Sequence, residues 1–194
     1  MNRICVFCGS KPGNRPAYVE SARALGRALV ARGCGLVYGG ASVGVMTEVA
    51  DTVLEAGGEV IGVIPETLLQ REVGHRGLTE LHVVQTMHER KALMASRSDA
   101  FIGLPGGYGT FEELFEVITW GQLGIHRKPV GLLNVAGYYD AFMALVDHAV
   151  AEGFIPPSHR GLILVDTTPE GLLDQLEAYQ VPDLGRKWAD KEHV

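Results

Sequence analysis

Short apolar runs alternate along this chain with longer segments of helical periodicity. The apolar runs have the length of β-strands and lie at residues 4–8, 36–38, 60–64, 81–84, 100–104, 130–133 and 162–165. The helical segments lie at residues 17–31, 45–56, 87–96, 111–123, 138–151 and 170–179. Several runs are continuously apolar, which is typical of parallel strands that are covered on both faces. This order predicts an α/β, Rossmann-like fold, a doubly wound, mostly parallel sheet with helices on both faces.

The length of the chain, 194 residues, is that of a single domain. We expect residues 1–180 to form this domain. Residues 181–194 are polar and interrupted by proline, and we interpret them as a C-terminal tail. Residues 66–79 form the longest stretch without clear periodicity, and loops of that length are often functional.

The composition argues against several classes of protein. Hydrophobic residues make up 46% of the chain and charged residues 21%, which excludes a disordered polymer. The net charge of −6 disfavours a nucleic-acid polymer as partner, because surfaces that bind nucleic acids are usually basic. No stretch approaches the roughly 20 apolar residues of a membrane helix, and the N-terminal segment lacks a secretory pattern. We therefore expect a cytoplasmic protein without a membrane partner.

The cysteines do not form a recognisable metal site. Cys5 and Cys8 have the C-x-x-C spacing, but they lie on a predicted strand, where an offset of three residues points them to opposite faces. No second cysteine pair or neighbouring histidine accompanies them. We interpret them as buried thiols rather than zinc ligands, and no cluster of histidines and acidic residues suggests another metal.

Glycines follow three of the predicted strands. The clusters are Gly9 with Ser10 after the first strand, residues 39–44 (GGASVG) after the second, and residues 105–110 (PGGYGT) after the fifth. Because the carboxyl ends of parallel strands share one edge of a sheet, we expect the three clusters to lie together there. A glycine-rich turn that opens a helix presents free backbone N–H groups, which suit a phosphate.

Two common phosphate motifs are absent from these clusters. No glycine is followed by the Lys-Ser/Thr pair of the Walker loop, which disfavours an NTPase. Gly39, Gly40 and Gly44 do not have the G-x-G-x-x-G spacing, and no acidic residue ends the second strand, so dinucleotide binding is disfavoured too. The remaining interpretation is a site for a monophosphate.

The segment PGGYGTFEE, residues 105–113, allows two interpretations of Glu113. The spacing of Thr110 and Glu113 is that of a capping box, which by itself is the simpler explanation. The helical wheel, however, gives two apolar stripes. Phe111, Leu114, Phe115 and Ile118 form the first, which we expect to pack on the sheet. Glu113 shares the second with Val117 and Trp120. A second copy of the chain would cover this stripe, which predicts a homodimer with Glu113 enclosed beside the glycine loop.

The segment MHERK, residues 87–91, places Arg90 on an apolar stripe with Met87 and Met94. One interpretation is an arginine whose stem lies along apolar surface and whose head reaches water. The other is a permanent cation near a bound phosphate or ribose.

These two segments resemble the Lonely Guy proteins, the cytokinin riboside 5′-monophosphate phosphoribohydrolases. The family motif P-G-G-x-G-T-x-x-E is matched from Pro105 to Glu113, and its arginine element is matched by Met87, Arg90 and Lys91. Residues 120–126 and 128–134 also resemble the family. In the glycine segment after the second strand, Ala41 and Thr47 replace two glycines that the family usually has.

The resemblance implies hydrolysis of the N-glycosidic bond of a nucleoside 5′-monophosphate, a cytokinin riboside monophosphate or AMP, to free base and ribose 5-phosphate. It implies Arg90 and Glu113 as the catalytic pair, with no metal or cofactor. With the glycine clusters it implies these substrate-binding residues: Gly9, Ser10, Gly39, Gly40, Gly44, Glu72, Met87, Lys91, Gly106, Gly107, Tyr108, Gly109, Thr110 and Thr119.

Two other functions remain open from the sequence. One is a non-catalytic nucleotide or cofactor carrier, which needs the phosphate site but has no reason to keep Arg90 and Glu113 together. The other is a general AMP nucleosidase without a role in cytokinin synthesis, since the residues of the 66–79 segment that would select a base show no readable pattern.

Overall fold

A computed structural model of the protein describes residues 1–69 and 74–184, which form one seven-stranded sheet in which every pairing is parallel. All seven predicted strands are confirmed to within about two residues at each end. The strands are β1 (Arg3–Phe7), β2 (Gly35–Tyr38), β3 (Val60–Pro65), β4 (Glu80–Val84), β5 (Ala100–Gly103), β6 (Val130–Leu133) and β7 (Ile163–Asp166).

The strands lie in the order β4-β3-β2-β1-β5-β6-β7, so the side on which successive strands are added changes after β4. The chain builds outward from β1 to β4, returns to pair β5 with β1, and then builds outward on the other side. In the register of the sheet, Ile4 lies between Leu36 and Ala100. The crevice at the carboxyl ends of β1 and β5 is thus the topological switch point, where doubly wound sheets bind ligands.

Helices cover both faces of this sheet, as predicted. In the described residues the helices are α1 (Pro16–Ala31), α2 (Gly44–Glu55), α3 (Glu66–Leu69), α4 (Met87–Ser96), α5 (Tyr108–Gln122), α6 (Asp140–Ala151) and α7 (Pro169–Ala178). Buried residues of α1, α2 and α7 pack on one face, and those of α4, α5 and α6 on the other. Short 3₁₀ turns occupy Val135–Gly137 and Pro157–Leu162. The α3 turn lies in the stretch that the sequence left without periodicity.

The two cysteines of the C-x-x-C segment point to opposite faces of the sheet. Cys5 is buried among residues of α4 to α6, and Cys8 among residues of α1 and α2. Both thiols are free, as is that of the buried Cys34. Among the described residues no group of three or more histidine, cysteine or acidic side chains is arranged to hold a metal.

Helix α5 differs from the prediction in its start and in its buried face. It begins at Tyr108, three residues earlier than expected, with the extended Gly107 as its N-cap and no capping side chain. Thr110 therefore lies inside the first turn, and the capping-box interpretation of Thr110 and Glu113 is wrong. The amide of Phe111 instead bonds the carbonyl of Gly107 at 3.1 Å.

The sheet-facing stripe of α5 is Thr110, Glu113, Leu114, Val117 and Gly121. Phe115, which the helical wheel placed on the sheet, is 42% exposed and stacks on Phe142 with ring centroids 4.8 Å apart. The smaller side chains face the strands because they let the helix approach the sheet closely: Leu114 packs against Gly103, where a Cβ atom would lie 2.9 Å from it. Glu113 is therefore buried by its own chain rather than by a second copy.

Residues 181–184 have no regular secondary structure, and the carbonyl of Leu184 lies 3.2 Å from Nε2 of His159. The domain boundary at residue 180 stays a prediction. Within residues 1–69 and 74–184, no helix combines the length and apolarity that crossing a bilayer requires.

Leu114→Ala tests the buried face of α5. Leu114 is fully buried, and truncation of such a leucine typically lowers the free energy of unfolding by about 2–5 kcal/mol. Leu145→Ala on α6 is the matched control, since Leu145 is 59% exposed and its loss should change stability by less than about 0.5 kcal/mol. Urea denaturation of both variants measures the difference, and equal stabilities would contradict the assignment.

Candidate active site

A cavity of about 210 Å³ opens at the switch point between β1 and β5. Its wall combines residues from the ends of the central strands, from α4 and from the first turns of α5. The residues that line it are Val6, Phe7, Cys8, Gly9, Ser10, Gly39, Met46, Leu68, Arg90, Met94, Gly107, Tyr108, Gly109, Thr110 and Glu113. The three glycine clusters thus meet at one edge of the sheet, as predicted, although not every member reaches the cavity.

The N-terminus of α5 forms one wall of this cavity. The first amides of a helix have no carbonyl partner within the helix, so those of Tyr108, Gly109 and Thr110 are available to a ligand. The helix dipole adds positive character at the same place. Backbone amides and dipole together make this wall suitable for a phosphate group.

Gly106 allows the β5–α5 loop to pass close to β1. A Cβ atom at this position would lie 2.1 Å from Oγ1 of Thr110 and 2.8 Å from the amide nitrogen of Gly9. The buried Thr110 side chain and the first glycine cluster thereby contact the same peptide. A side chain at residue 106 would push the loop away from β1 and open the cavity wall.

Arg90 reaches the cavity from the first turn of α4, and its guanidinium group is held in place. Nε donates to the carbonyl of Val63 at 3.1 Å, and Nη2 donates to the carbonyl of Gly39 at 3.3 Å. Gly39 directly follows β2, and Val63 lies within β3, one residue beyond its last pair with β2. The side chain is buried, so the interpretation of an arginine whose head reaches water is wrong. A Cβ atom at Gly39 would lie 2.0 Å from Nη2, which means that only glycine leaves room for this contact.

Glu113 faces Arg90 across the cavity. Its Oε1 lies 3.6 Å from Nη1 of Arg90, which is an ion pair but too long for a good hydrogen bond. Burial raises the pKa of Glu113 to about 7, and the positive charge of Arg90, which lowers the pKa, offsets this only in part. A carboxyl group with a pKa near neutrality, in a cleft and beside a fixed cation, is a typical catalytic arrangement.

Comparison with known proteins shows which family the chain is similar to. A family model described as possible lysine decarboxylase matches residues 46–176. A rice protein (Oryza sativa subsp. japonica) named probable cytokinin riboside 5′-monophosphate phosphoribohydrolase LOGL9 is 59% identical over 177 residues, which are 91% of this chain and 78% of the rice protein. The Arabidopsis thaliana enzyme named cytokinin riboside 5′-monophosphate phosphoribohydrolase LOG7 is 56% identical over 178 residues, covering 92% of this chain and 82% of the relative.

The chain belongs to the Lonely Guy (LOG) family.

Among solved structures, the molybdenum cofactor carrier protein of Chlamydomonas reinhardtii matches with a TM-score of 0.69 and 24% identity, covering 92% of this chain and 99% of the carrier. At this identity the likeness shows that the LOG fold is shared, and nothing about function.

The residues do not fit the decarboxylase that the family model's description suggests. A pyridoxal-phosphate enzyme binds its cofactor through a lysine. No lysine is among the described residues that line the cavity of this LOG protein. Lys91, the neighbour of Arg90, is committed elsewhere: its Nζ lies 2.9 Å from Oε1 of Glu116 and also bonds Glu112.

Lys91 links α4 to α5 next to Arg90. Burial by itself lowers the pKa of Lys91, but hydrogen bonds to Glu112 and Glu116 outweigh it and raise the pKa above its ordinary value. The ion pairs join the two helices that carry Arg90 and Glu113. In this structure Lys91 therefore contacts helix α5 rather than the cavity.

Several other residues that the family resemblance implies also lie outside the lining. Thr119 is on the exposed side of α5, where its hydroxyl donates to the carbonyl of Phe115, and Met87 is 41% exposed at the start of α4. Gly40 and Gly44 support the loop after β2, and Ala41, which replaces a usual glycine, is fully buried there. Gly106 lines a neighbouring cavity, described below. Glu72 lies outside the described residues.

The apolar part of the lining gives only a weak signal in the sequence. Met94 was recognised as a neighbour of Arg90 on its stripe, and the spacing of four residues was a usable signal that both reach one cavity. Met46 and Leu68 gave no such signal, because they belong to other elements and meet Arg90 only in the folded chain. Val6, Phe7 and Cys8 complete this lining.

Titration of Glu113 tests the electrostatics of the site. With its pKa raised to about 7, the carboxyl group is mainly protonated at pH 6 and mainly ionised at pH 8. Infrared difference spectra should show the band of the protonated carboxyl disappear as the pH is raised, with a midpoint near pH 7. The Glu113→Gln variant assigns this band to Glu113.

Arg90→Met should move this midpoint upward, because the charge that favours the ionised form is gone. Arg27→Met, on the exposed side of α1, is the control and should leave the midpoint unchanged. A midpoint near pH 4.5 in the unmodified protein would contradict the buried position of Glu113.

Proposed function

We propose that this LOG protein hydrolyses the N-glycosidic bond of adenosine-type nucleoside 5′-monophosphates, namely cytokinin riboside 5′-monophosphates and AMP. The products are the free base and ribose 5-phosphate. The observation that carries the proposal is the buried pair of Arg90 and Glu113, which lies 3.6 Å apart in a cavity walled by the N-terminus of α5. The names of the most similar relatives support the same reaction.

The geometry suits a substrate that carries a phosphate at one end and the scissile bond at the other. We place the phosphate against the amides of residues 107–110. Glu113 follows Tyr108 by five residues, roughly 7 Å along the helix axis, a length comparable to a ribose 5-phosphate. The sugar then spans from the helix N-terminus to the carboxylate, and C1′ lies beside the catalytic pair.

In this arrangement Glu113 acts in its ionised form. Cleavage of the C1′–N bond leaves the electron pair on the base and develops positive charge on the sugar ring. The carboxylate stabilises that charge and accepts a proton from the water that adds to C1′. The departing base takes a proton from solvent, and Glu113 returns its proton to solvent, so one water is consumed for each bond cleaved. No step uses a metal or a cofactor.

Arg90 has two functions in the proposed mechanism. Its guanidinium is held by the carbonyls of Gly39 and Val63, so it presents a permanent positive charge at a fixed position. This charge lowers the pKa of Glu113 and keeps part of the carboxyl ionised near neutral pH. It also gives the sugar hydroxyls or the base a hydrogen-bond donor that needs no rearrangement.

Turnover of a panel of nucleotides tests the reaction. Purified protein incubated with AMP, isopentenyladenosine monophosphate and the corresponding nucleosides should release free base, measured by chromatography, only from the phosphorylated compounds. The ratio of kcat/KM for the two nucleotides decides between a cytokinin enzyme and a general AMP nucleosidase. A carrier would instead retain the nucleotide without product, and that result would overturn the proposal.

Glu113→Gln should lower kcat by about 10²–10⁴, the usual contribution of a positioned acid or base, since it removes the charge and keeps the size of the side chain. Glu152→Gln, an exposed carboxylate after α6, is the control and should keep full activity. Equal activity of the two variants would rule out a catalytic role for Glu113.

We also propose a homodimer that works in the cytoplasm. Glu113 and Val117 are buried against the sheet and so are not available to a partner, but among the described residues two apolar side chains at the end of α5 remain exposed. Ile125 is 67% exposed and Leu123 is 53% exposed. Ile125 and Trp120 border a cavity of about 390 Å³ between α4 and α5, which a second copy would fill. The three free, buried thiols are consistent with a reducing compartment.

Sedimentation at micromolar concentration should give twice the mass of one chain. Ile125→Asp places a charge in the proposed interface and should give the mass of a single chain, whereas Leu145→Asp, at a similarly exposed position on α6, should not change the mass. A monomeric parent protein would disprove the dimer.

A further inference from the structure

The glycine-rich loop after β5 is anchored through three consecutive carbonyl groups. The hydroxyl of Tyr139 donates a hydrogen bond to the carbonyl of Leu104 at 2.7 Å, and the amide of Gly9 donates one to the carbonyl of Pro105 at 3.1 Å. The hydroxyl of Tyr138 donates one to the carbonyl of Gly106. Two of the three donors are neighbouring tyrosines that follow β6. Neither tyrosine belongs to a motif that the sequence singles out.

The turn that presents the two tyrosines is itself held by hydrogen bonds. The amide of Asn134 bonds the carbonyl of Asp166 at 2.7 Å, and its side-chain oxygen accepts from the amide of Tyr139 at 2.8 Å. The side-chain Nδ2 of Asn134 also donates to Oδ1 of Asp140 at 2.7 Å. Ala136, which lies in this turn, has a positive φ of 51°. A non-glycine residue in this conformation indicates that the surrounding contacts determine the turn.

Ring packing orients both phenols toward the loop. Tyr138 packs edge-on against Tyr18 and Tyr139, with centroids 5.8 and 5.2 Å apart, and Tyr139 is fully buried. Burial raises the pKa of Tyr139 well above its ordinary value, so its hydroxyl stays protonated as a donor. The ring of Tyr138 borders a second cavity, of about 460 Å³, which shares Gly107 with the site of Arg90 and Glu113.

Because the peptide bond is planar, the hydrogen bonds that Tyr138 and Tyr139 donate to the loop have different consequences. In a trans peptide the carbonyl and the following N–H point in opposite directions. The bond from Tyr138 to the carbonyl of Gly106 therefore also sets the direction of the Gly107 N–H, and Gly107 lines the cavity. The bond from Tyr139 to Leu104 has no such effect, because the next residue is Pro105, which has no N–H.

We propose that Tyr138 is a positioning residue that aims the Gly107 N–H at the phosphate of the substrate and so favours phosphorylated substrates. This inference rests on the proposed function, in which that amide binds the 5′-phosphate. Tyr138 acts through the loop and does not contact the reacting atoms.

Tyr138→Phe and Tyr139→Phe form a matched pair for the test, since each removes one hydroxyl from an otherwise unchanged ring. The affinity of each full-length variant for inorganic phosphate is measured by calorimetry, and KM and kcat are measured with AMP. Tyr138→Phe should weaken phosphate binding and raise KM by about three- to tenfold, the loss expected for one hydrogen bond, with kcat within about twofold. Tyr139→Phe should lower the melting temperature and leave the phosphate affinity within about twofold.

The two readouts separate failure of this inference from failure of the proposed function. If the parent protein binds phosphate but releases no base from any nucleotide, the proposed reaction fails, and the difference between the two variants still tests the role of Tyr138. Equal phosphate affinities in parent and Tyr138→Phe would overturn the inference. Equal losses in both variants would overturn it too, because they would show general support of the loop rather than the aiming of one amide.

Discussion

The site depends on one interaction: the guanidinium of Arg90 donates hydrogen bonds to two backbone carbonyls of neighbouring strands. Gly39 directly follows β2, and Val63 lies one residue beyond the last position of β3 that pairs with β2, so both carbonyls lie just past the end of the β2–β3 pairing. Arg90 occupies both and is thereby fixed with Nη1 facing Glu113. The contact requires a glycine at residue 39, since any Cβ atom there would overlap the guanidinium.

A fixed cation beside a buried carboxylate produces an acid whose strength suits neutral pH. The two largest effects on the pKa of Glu113 oppose each other: loss of water raises it, and the charge of Arg90 lowers it. Burial is the larger effect, so the pKa rises from 4.5 to about 7. This rise corresponds to a preference for the neutral form that is greater than in water by roughly 3 kcal/mol. The charge of Lys91 also lowers this pKa, and its ion pairs with Glu112 and Glu116 join the helices that carry Arg90 and Glu113. The LOG family and the molybdenum cofactor carriers share a fold, so the function has to be argued from this local chemistry.

The cavity wall that we propose binds phosphate is supported from the opposite half of the sheet. Residues after β6 hold the carbonyls of the β5–α5 loop, and the loop presents its amides to the cavity near α4. Both halves of the doubly wound sheet thus contribute to one site at the switch point. β1 lies between them, and the amide of Gly9 provides the central anchor of the loop.

The sequence by itself determined the elements and the chemistry at their ends. Runs of apolar residues located all seven strands, the helix bounds were correct to within about three residues, and the glycines after β1, β2 and β5 located the edge that carries the site. These signals are local: they depend on the period of hydrophobicity and on residues that end a strand. Tertiary structure alone decided which stripe of α5 faces the sheet, where the head of Arg90 lies, that Lys91 pairs with α5, and that Tyr138 holds the glycine loop. Each of these depends on contacts between residues far apart in the chain. A helix with two apolar stripes has no preferred face until the size of the side chains is matched to the strands on which it packs.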